Sequence, residues 1–255
     1  MSNFATYPSL KDRSVFISGG STGIGAALVQ AFAGQGSKVA FCDIDVAGAE
    51  RTVQAVKQAG HQAPTFLECD LRDIDRLRET IAAAGKANGP ITVLVNNAAR
   101  DDRHAMETVT PEYWDERMAV NLKHQFFAAQ AVFPMMKEAG RGSIVNFGSV
   151  SWMVGQGGMP AYTTAKSAVM GLTRSLARDM GPFNIRVNSI APGWIMTERQ
   201  LSLWMNPEGE AELMKRQCLK RRLEPVEMAR IALFLAADDS SAMTNQTYVC
   251  DGGWV

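Results

Sequence analysis

Seven short apolar runs, rich in β-branched and aromatic residues and bounded by Gly, Asp, Asn or Pro, punctuate this chain. They are SVFIS (14–18), KVAFCD (38–43), PTFLECD (64–70), ITVLVNN (91–97), GSIVNFGS (142–149), IRVNSIAPG (185–193) and TYVCDGG (247–253). Runs of this length and composition read as buried strands. Segments of helical periodicity lie between them, among them AALVQAFAGQG, DIDRLRETIAAAGKANG and PVEMARIALFLAAD. Strand–helix alternation demands crossover connections, which place helices on both faces of a parallel sheet. The expected fold class is therefore α/β: one doubly wound domain over residues 1–255, with a parallel seven-stranded sheet. No linker, repeat or low-complexity stretch divides the chain. Residues 194–223 form a long insertion before the last helix, and long insertions in compact domains are commonly lids.

Charge argues against several partners. Lys+Arg and Asp+Glu both number 26, so nothing electrostatic points to nucleic acid or an anionic membrane. No apolar run reaches the roughly 18–20 residues that cross a bilayer, and the N-terminus lacks a signal-peptide layout. A cytoplasmic location is expected. Cys42, Cys69, Cys218 and Cys250 form no C-x-x-C pair, and His61, His104 and His124 have no metal-ligand spacing. No metal site is expected.

SGGSTGIG (18–25) follows the first strand and opens the first helix. In a doubly wound sheet such a turn lets backbone approach a pyrophosphate, while the helix N-terminus offers amide hydrogens and a positive dipole end. That makes the domain Rossmann-like, with Gly19, Ser21, Thr22, Gly23, Ile24 and Gly25 as candidate cofactor contacts. No Lys-Ser/Thr pair follows the glycines, which disfavours a nucleoside triphosphatase. The second strand ends in Asp43, placed to accept hydrogen bonds from an adenosine ribose and to repel a 2′-phosphate. No Arg or Lys occupies 20–24 or 43–46, so NAD is expected over NADP, with Asp45 a possible partner in that choice. Asp70 and Leu71 close the third run, and Asn97, Ala98 and Ala99 close the fourth. Both sets fall at strand carboxyl ends, where ligands bind in this architecture.

The reacting chemistry points to AYTTAKSAVMGLTRSLARDM. Tyr162 and Lys166 are four residues apart and project from one side of a helix. A phenol has an ordinary pKa near ~10. A neighbouring ammonium is expected to lower it, so that the pair can take a proton from an alcohol. Ser149, at the end of the fifth run, could hydrogen-bond the substrate oxygen.

The order of SGGSTGIG, NNAA, the Asn of VNL, Ser149, YTTAK and APG resembles the short-chain dehydrogenase/reductase family over essentially the whole chain. The resemblance implies a catalytic set of Asn121, Ser149, Tyr162 and Lys166, with Asn121 holding a water in a proton relay. It implies cofactor contacts from Tyr162, Lys166, Pro192, Gly193, Ile195 and Thr197, the last two at the nicotinamide carboxamide. It also implies a homotetramer, and CDGGWV resembles tails that pack across subunits. The chain departs from the family pattern twice: Ser18 stands where Thr is usual, and Ala99 where Gly is usual.

RDDRHAMETVTPEYW, SVSWM and PEGEAELMKRQCLKRRL are similar to segments of bacterial aldose 1-dehydrogenases, which convert free sugars to lactones. A sugar site needs several polar groups and an apolar wall. Asp101, Arg103, His104, Ser151, Trp152, Gln156, Trp194 and Arg199 are the candidates. A sugar acid such as a 2-keto-3-deoxy sugar acid is the alternative substrate, with Arg103 or Arg199 holding its carboxylate. A dinucleotide-sensing protein on the same fold is the non-enzymatic alternative.

Overall fold

The structure is a computed structural model and describes residues 4–255. Its strands are β1 (Ser14–Ser18), β2 (Lys38–Asp43), β3 (Thr65–Glu68), β4 (Val93–Asn96), β5 (Gly142–Phe147), β6 (Ile185–Pro192) and β7 (Thr247–Cys250). They form one sheet in the order β3-β2-β1-β4-β5-β6-β7, every pairing parallel. Each falls within an expected apolar run. The runs overshoot at their carboxyl ends because those last polar residues leave the ladder and turn toward the ligand crevice.

The helices are α1 (Gly23–Gly34), α2 (Val46–Gln58), α3 (Ile74–Asn88), α4 (Pro111–Met118), α5 (His124–Glu138), α6 (Pro160–Met180), α7 (Glu198–Leu203), α8 (Pro207–Arg216) and α9 (Pro225–Ala236). Alternate strand residues face opposite cores. Val15 and Ile17 of β1 join Leu28, Val29 and Phe32 of α1 and Ala232 and Leu235 of α9. Phe16 joins Leu77 and Ile81 of α3, Ala128 and Val132 of α5, and Leu176 of α6. Burial on both faces explains why the strands read as continuous apolar runs rather than alternating ones.

This topology fixes where a ligand sits. Connections leave β1 and β4 toward opposite faces, which opens a crevice over the carboxyl ends of the central strands. The 194–223 insertion rises beside that crevice. It carries α7 and α8, capped by the side chains of Thr197 and Asn206. Its base closes where Ile195 pairs with Leu223 and Met196 N donates to Leu223 O at 2.9 Å. Among the described residues no helix is long and apolar enough to cross a membrane, and no group of three or more His, Cys, Asp or Glu could hold a metal.

Candidate active site

A cleft of about 1130 Å³ runs over the strand ends from Asp43 to Tyr162. Its floor is the turn after β1. Gly19 has φ +71°, and a Cβ there would meet Ala98 Cα at 2.7 Å. A Cβ on Gly25 would lie 1.7 Å from Gly19 O. Backbone alone fills this floor, which leaves room for a pyrophosphate. The turn is pinned from β4: Asn97 Nδ2 donates to Ser18 O at 3.2 Å and Gly19 O at 2.9 Å. Ser18 keeps the hydroxyl function expected of it, since its Oγ accepts from Asn97 N at 3.1 Å and Ala98 N at 3.2 Å.

Asp43 lies at one end of the cleft with both oxygens oriented. Oδ2 accepts from Ser21 N at 2.9 Å, and Oδ1 accepts from Ile44 N at 2.8 Å and Asp45 N at 3.1 Å. Asp45 is otherwise engaged, capping α2 by accepting from Gly48 N at 2.9 Å. The Ser21 side chain is buried and donates to Asp45 O at 2.8 Å. It braces Asp43 from behind and does not line the cleft as a cofactor contact. Thr22, Gly23, Ile24, Asp70, Leu71, Asn97, Ala98, Ala99, Pro192, Gly193, Ile195 and Thr197 all line it. Asp70 is clasped by Arg72, whose guanidinium holds the carboxyl below its usual range. Arg51 of α2 also reaches this end, a cation that lies beyond 43–46, in the second turn of the helix that follows.

At the other end stand Ser149, Tyr162 and Lys166. The first two turns of α6 carry the Tyr–Lys pair, and the chain leaving β5 delivers Ser149. The Ser149 hydroxyl accepts from Ser151 N at 3.1 Å and stands near enough to the Tyr162 phenol to draw its proton affinity down. Lys166 is 1 % exposed, its Nζ donating to Phe147 O at 2.8 Å and lying 5.8 Å from the Tyr162 ring centroid. Burial pulls the Lys166 ammonium down to about 7, partly countered by Asp101. Burial also pushes the Tyr162 phenol well up, with the charge of Asp101 adding to it and Ser149 and Arg103 opposing. The expected depression of the phenol by its neighbouring ammonium is therefore not met in the chain by itself. Desolvation outweighs it.

Asn121 lies outside the cleft wall. It is fully buried in a π-helical turn, Ala119–Lys123, between α4 and α5. Its Oδ1 accepts from Arg100 N at 2.8 Å and its Nδ2 donates to Arg117 O at 3.0 Å. The carboxamide thus braces the loop after β4. His124, which carried no signal in sequence, supports the same loop. Its Nε2 donates to Ala98 O at 3.1 Å, and burial beside Lys166 drives its pKa down to about 3, so it is neutral.

The candidates for substrate contact divide. Asp101, Arg103, Ser151, Gln156, Trp194 and Arg199 line the cleft. His104 does not: its ring contacts Asp102 O and Tyr113 Oη, and its Nε2 accepts from Ala161 N at 3.3 Å, so it anchors the start of α6. Trp152 also falls outside the lining, set into the turn that follows β5. Arg199 is committed to two carboxylates, Asp101 at 3.2 Å and Asp102 at 2.7 Å. Arg103 lies over the Trp204 ring, 4.9 Å from its centroid. Trp254, in the tail that resembles subunit-packing tails, lines this chain's own cleft.

A doubly wound sheet whose crevice joins a glycine turn to Ser149, Tyr162 and Lys166 narrows the family, and comparison decides it. A family model described as enoyl-(acyl carrier protein) reductase matches residues 19–255. A probable galactose dehydrogenase of Rhizobium meliloti is 50% identical over 247 residues, 97% of this chain and 96% of that protein.

The chain belongs to the short-chain dehydrogenase/reductase family.

Another member of the family, a D-xylose 1-dehydrogenase of Caulobacter vibrioides, is 45% identical over 250 residues, 98% of each chain. The solved structure of a 3-oxoacyl-[acyl-carrier protein] reductase with bound NAD from Brucella melitensis superposes with a TM-score of 0.89. It is 33% identical and covers 100% of this chain and 98% of its own. As a short-chain dehydrogenase this protein is an oxidoreductase acting on a CH–OH group, and the dinucleotide-sensing alternative falls away.

Proposed function

We propose that this protein is an NAD-dependent aldose 1-dehydrogenase, which oxidises the anomeric hydroxyl of a pentose or hexose to the lactone. The observation that carries the reading is one continuous cleft. A backbone-floored anion cradle and a three-times-bonded Asp43 lie at one end, and the Ser149–Tyr162 hydroxyl pair lies at the other, beside Asp101. Two relatives at 45–50% identity carry names of sugar dehydrogenases, which supports the substrate class.

The residues present suit a dinucleotide, because the turn from Gly19 to Gly25 packs so closely on itself and on Ala98 that no side chain can stand there, which leaves its backbone facing the cleft. Gly19, Thr22, Gly23 and Ile24 would hold its pyrophosphate, Asp43 its adenosine ribose, and Ile195 and Thr197 its nicotinamide end. Asp43 favours NAD because its charge opposes a 2′-phosphate. Bound NAD would supply the hydride acceptor. Tyr162 accepts the proton of the substrate hydroxyl, and a base in contact with the reacting oxygen contributes about 10²–10⁴-fold. Ser149 holds that oxygen by hydrogen bonding. Lys166, fixed on Phe147 O, sets the electrostatics beneath the phenol. Asn121 acts by positioning, through Arg100 and Arg117. The 194–223 insertion acts as a lid, tied down by the Arg199 bridges to Asp101 and Asp102. Those bridges occupy Arg199, one of the two cations that could hold a sugar acid, and leave Arg103 as the other. The subunits are expected to form a homotetramer in the cytoplasm.

The test is NAD reduction across aldoses, alditols and sugar acids with the product identified. A lactone from an aldose supports the reading; a ketone from a sugar acid overturns it.

A further inference from the structure

The chain's own C-terminus helps wall the cleft. Trp254 lines it, with its ring 6.5 Å from that of Trp194 and tilted by 50°. The tail is held firmly. The Asp251 carboxylate accepts from Gly253 N at 2.8 Å and Val255 N at 2.9 Å. The carbonyls of Gly252 and Gly253 accept from Leu219 N at 2.9 Å and Cys218 N at 3.0 Å, where the chain leaves the lid. The indole is therefore a fixed part of the wall rather than a trailing end.

Its N–H is buried and has no hydrogen-bond partner. The Ser151 hydroxyl, on the loop after β5 and in the same wall, is likewise buried and unpartnered. The adjoining indole is not in this state: Trp194 Nε1 donates to Gln200 Oε1 at 2.9 Å, and Gln200 Nε2 donates to Asp101 Oδ2 at 2.7 Å. Buried polar groups are nearly always paired, and an exception beside a cleft calls for a partner that the chain itself does not supply. Together the wall offers one donor at Trp254, one donor–acceptor at Ser151 and one acceptor at Asp101. A polyol can satisfy all three, because each of its hydroxyls both donates and accepts. A plain aliphatic alcohol leaves them unpaired, and a site built on polar pairing rejects such analogues strongly.

We propose that Trp254 is a substrate-recognition residue: its indole N–H donates to one hydroxyl of the bound sugar, and its ring forms an apolar wall with Trp194. The proposal rests on the sugar-dehydrogenase reading and adds to it a specific group, supplied by the tail of the same chain.

Trp254→Phe keeps a ring and removes the N–H. Initial rates of NAD reduction are measured with a parent aldose and its mono-deoxy analogues. NADH affinity and the sedimentation mass serve as controls. The variant is expected to raise KM for the parent aldose by roughly 3- to 10-fold, the worth of one neutral hydrogen bond, with kcat and NADH affinity within about twofold. One deoxy analogue that is poor for the wild type should lose that handicap in Trp254→Phe, since the hydroxyl and its donor are then both absent. An unchanged KM overturns the assignment. So does a penalty that persists equally for every analogue, or a shift in mass that accounts for the lost activity, which would return Trp254 to a subunit interface. A wild type inert to every aldose overturns the sugar reading itself. An aldose-active wild type matched by Trp254→Phe overturns only the role of Trp254.

Discussion

Replacing Asp43 by Ala should change which dinucleotide the enzyme uses, and the structure bounds the size of the change. Asp43 is held by three backbone N–H groups, from Ser21, Ile44 and Asp45. Oδ2, which accepts only one of the three, keeps acceptor capacity for a ribose hydroxyl. Losing a hydrogen bond to a charged acceptor costs NAD about 1.5–3 kcal/mol, or roughly 10- to 100-fold. NADP meets the opposite effect. Two phosphate charges about 5 Å from a carboxylate are repelled by about 2–3 kcal/mol at effective dielectrics between those of a protein surface and water. Removing the carboxylate restores that amount, and Arg51, on the same stretch of wall, becomes the available cation.

Combined, the ratio of kcat/KM for NAD over NADP should fall by between about 10² and 10⁴. The substitution also strips the acceptor from the Ser21 amide, at a cost of about 1–2 kcal/mol. A melting curve will reveal this as a drop of a few degrees for a chain of this size. The assay is steady-state turnover with each dinucleotide at saturating sugar, with NADH and NADPH affinities measured alongside. Asp45→Ala is the control: it removes the α2 cap and should lower stability by about 1 kcal/mol without moving the ratio. A ratio that moves less than fivefold in Asp43→Ala, or that moves as far in Asp45→Ala, refutes the reasoning.

Tyr162→Phe should retain NADH affinity and lose about 10²–10⁴-fold in kcat; turnover within tenfold of wild type would remove Tyr162 as the base. Because burial and Asp101 hold the phenol protonated, sugar oxidation should speed up from neutral to alkaline pH, and Asp101→Asn should move that rise to lower pH; a profile unmoved by the substitution would count against their coupling. Lys166 carries its own pH signature. Its folded pKa is depressed to about 7, so between there and the ordinary lysine value the unfolded chain binds a proton that the folded chain lacks. Chemical denaturation of the cofactor-free protein should therefore find stability rising from pH 7 to 9 and lost as pH falls back, with a smaller slope in Lys166→Met; equal slopes would show that Lys166 is charged when folded. Ser18→Ala leaves the buried amides of Asn97 and Ala98 without their acceptor and should cost about 1–3 kcal/mol, read as a lower denaturation midpoint, whereas an unchanged midpoint would mean that the hydroxyl is dispensable.

The local parts of this protein were written in its sequence. β-Branched runs alternating with amphipathic ones suffice for a parallel sheet covered on both faces, because strands buried on both sides leave no other pattern. The glycine turn, Asp43 and the Tyr162–Lys166 spacing are likewise local. Each requires only neighbours in the chain and a known place at the end of an element. What the sequence could not decide were relations between distant segments. Arg199 meets Asp101 and Asp102 across 97–98 residues, which ties the 194–223 insertion to the loop after β4. His104 turns from the substrate to the start of α6, and Asn121 braces Arg100 and Arg117. Trp254, the next-to-last residue, lines the same cleft as the glycine turn near the start of the chain. A polar side chain's role depends on which partner claims it first, and packing settles that competition after the backbone pattern has been fixed. The same holds for charge: Tyr162 and Lys166 owe their shifted proton affinities chiefly to burial, a property that no spacing of residues encodes.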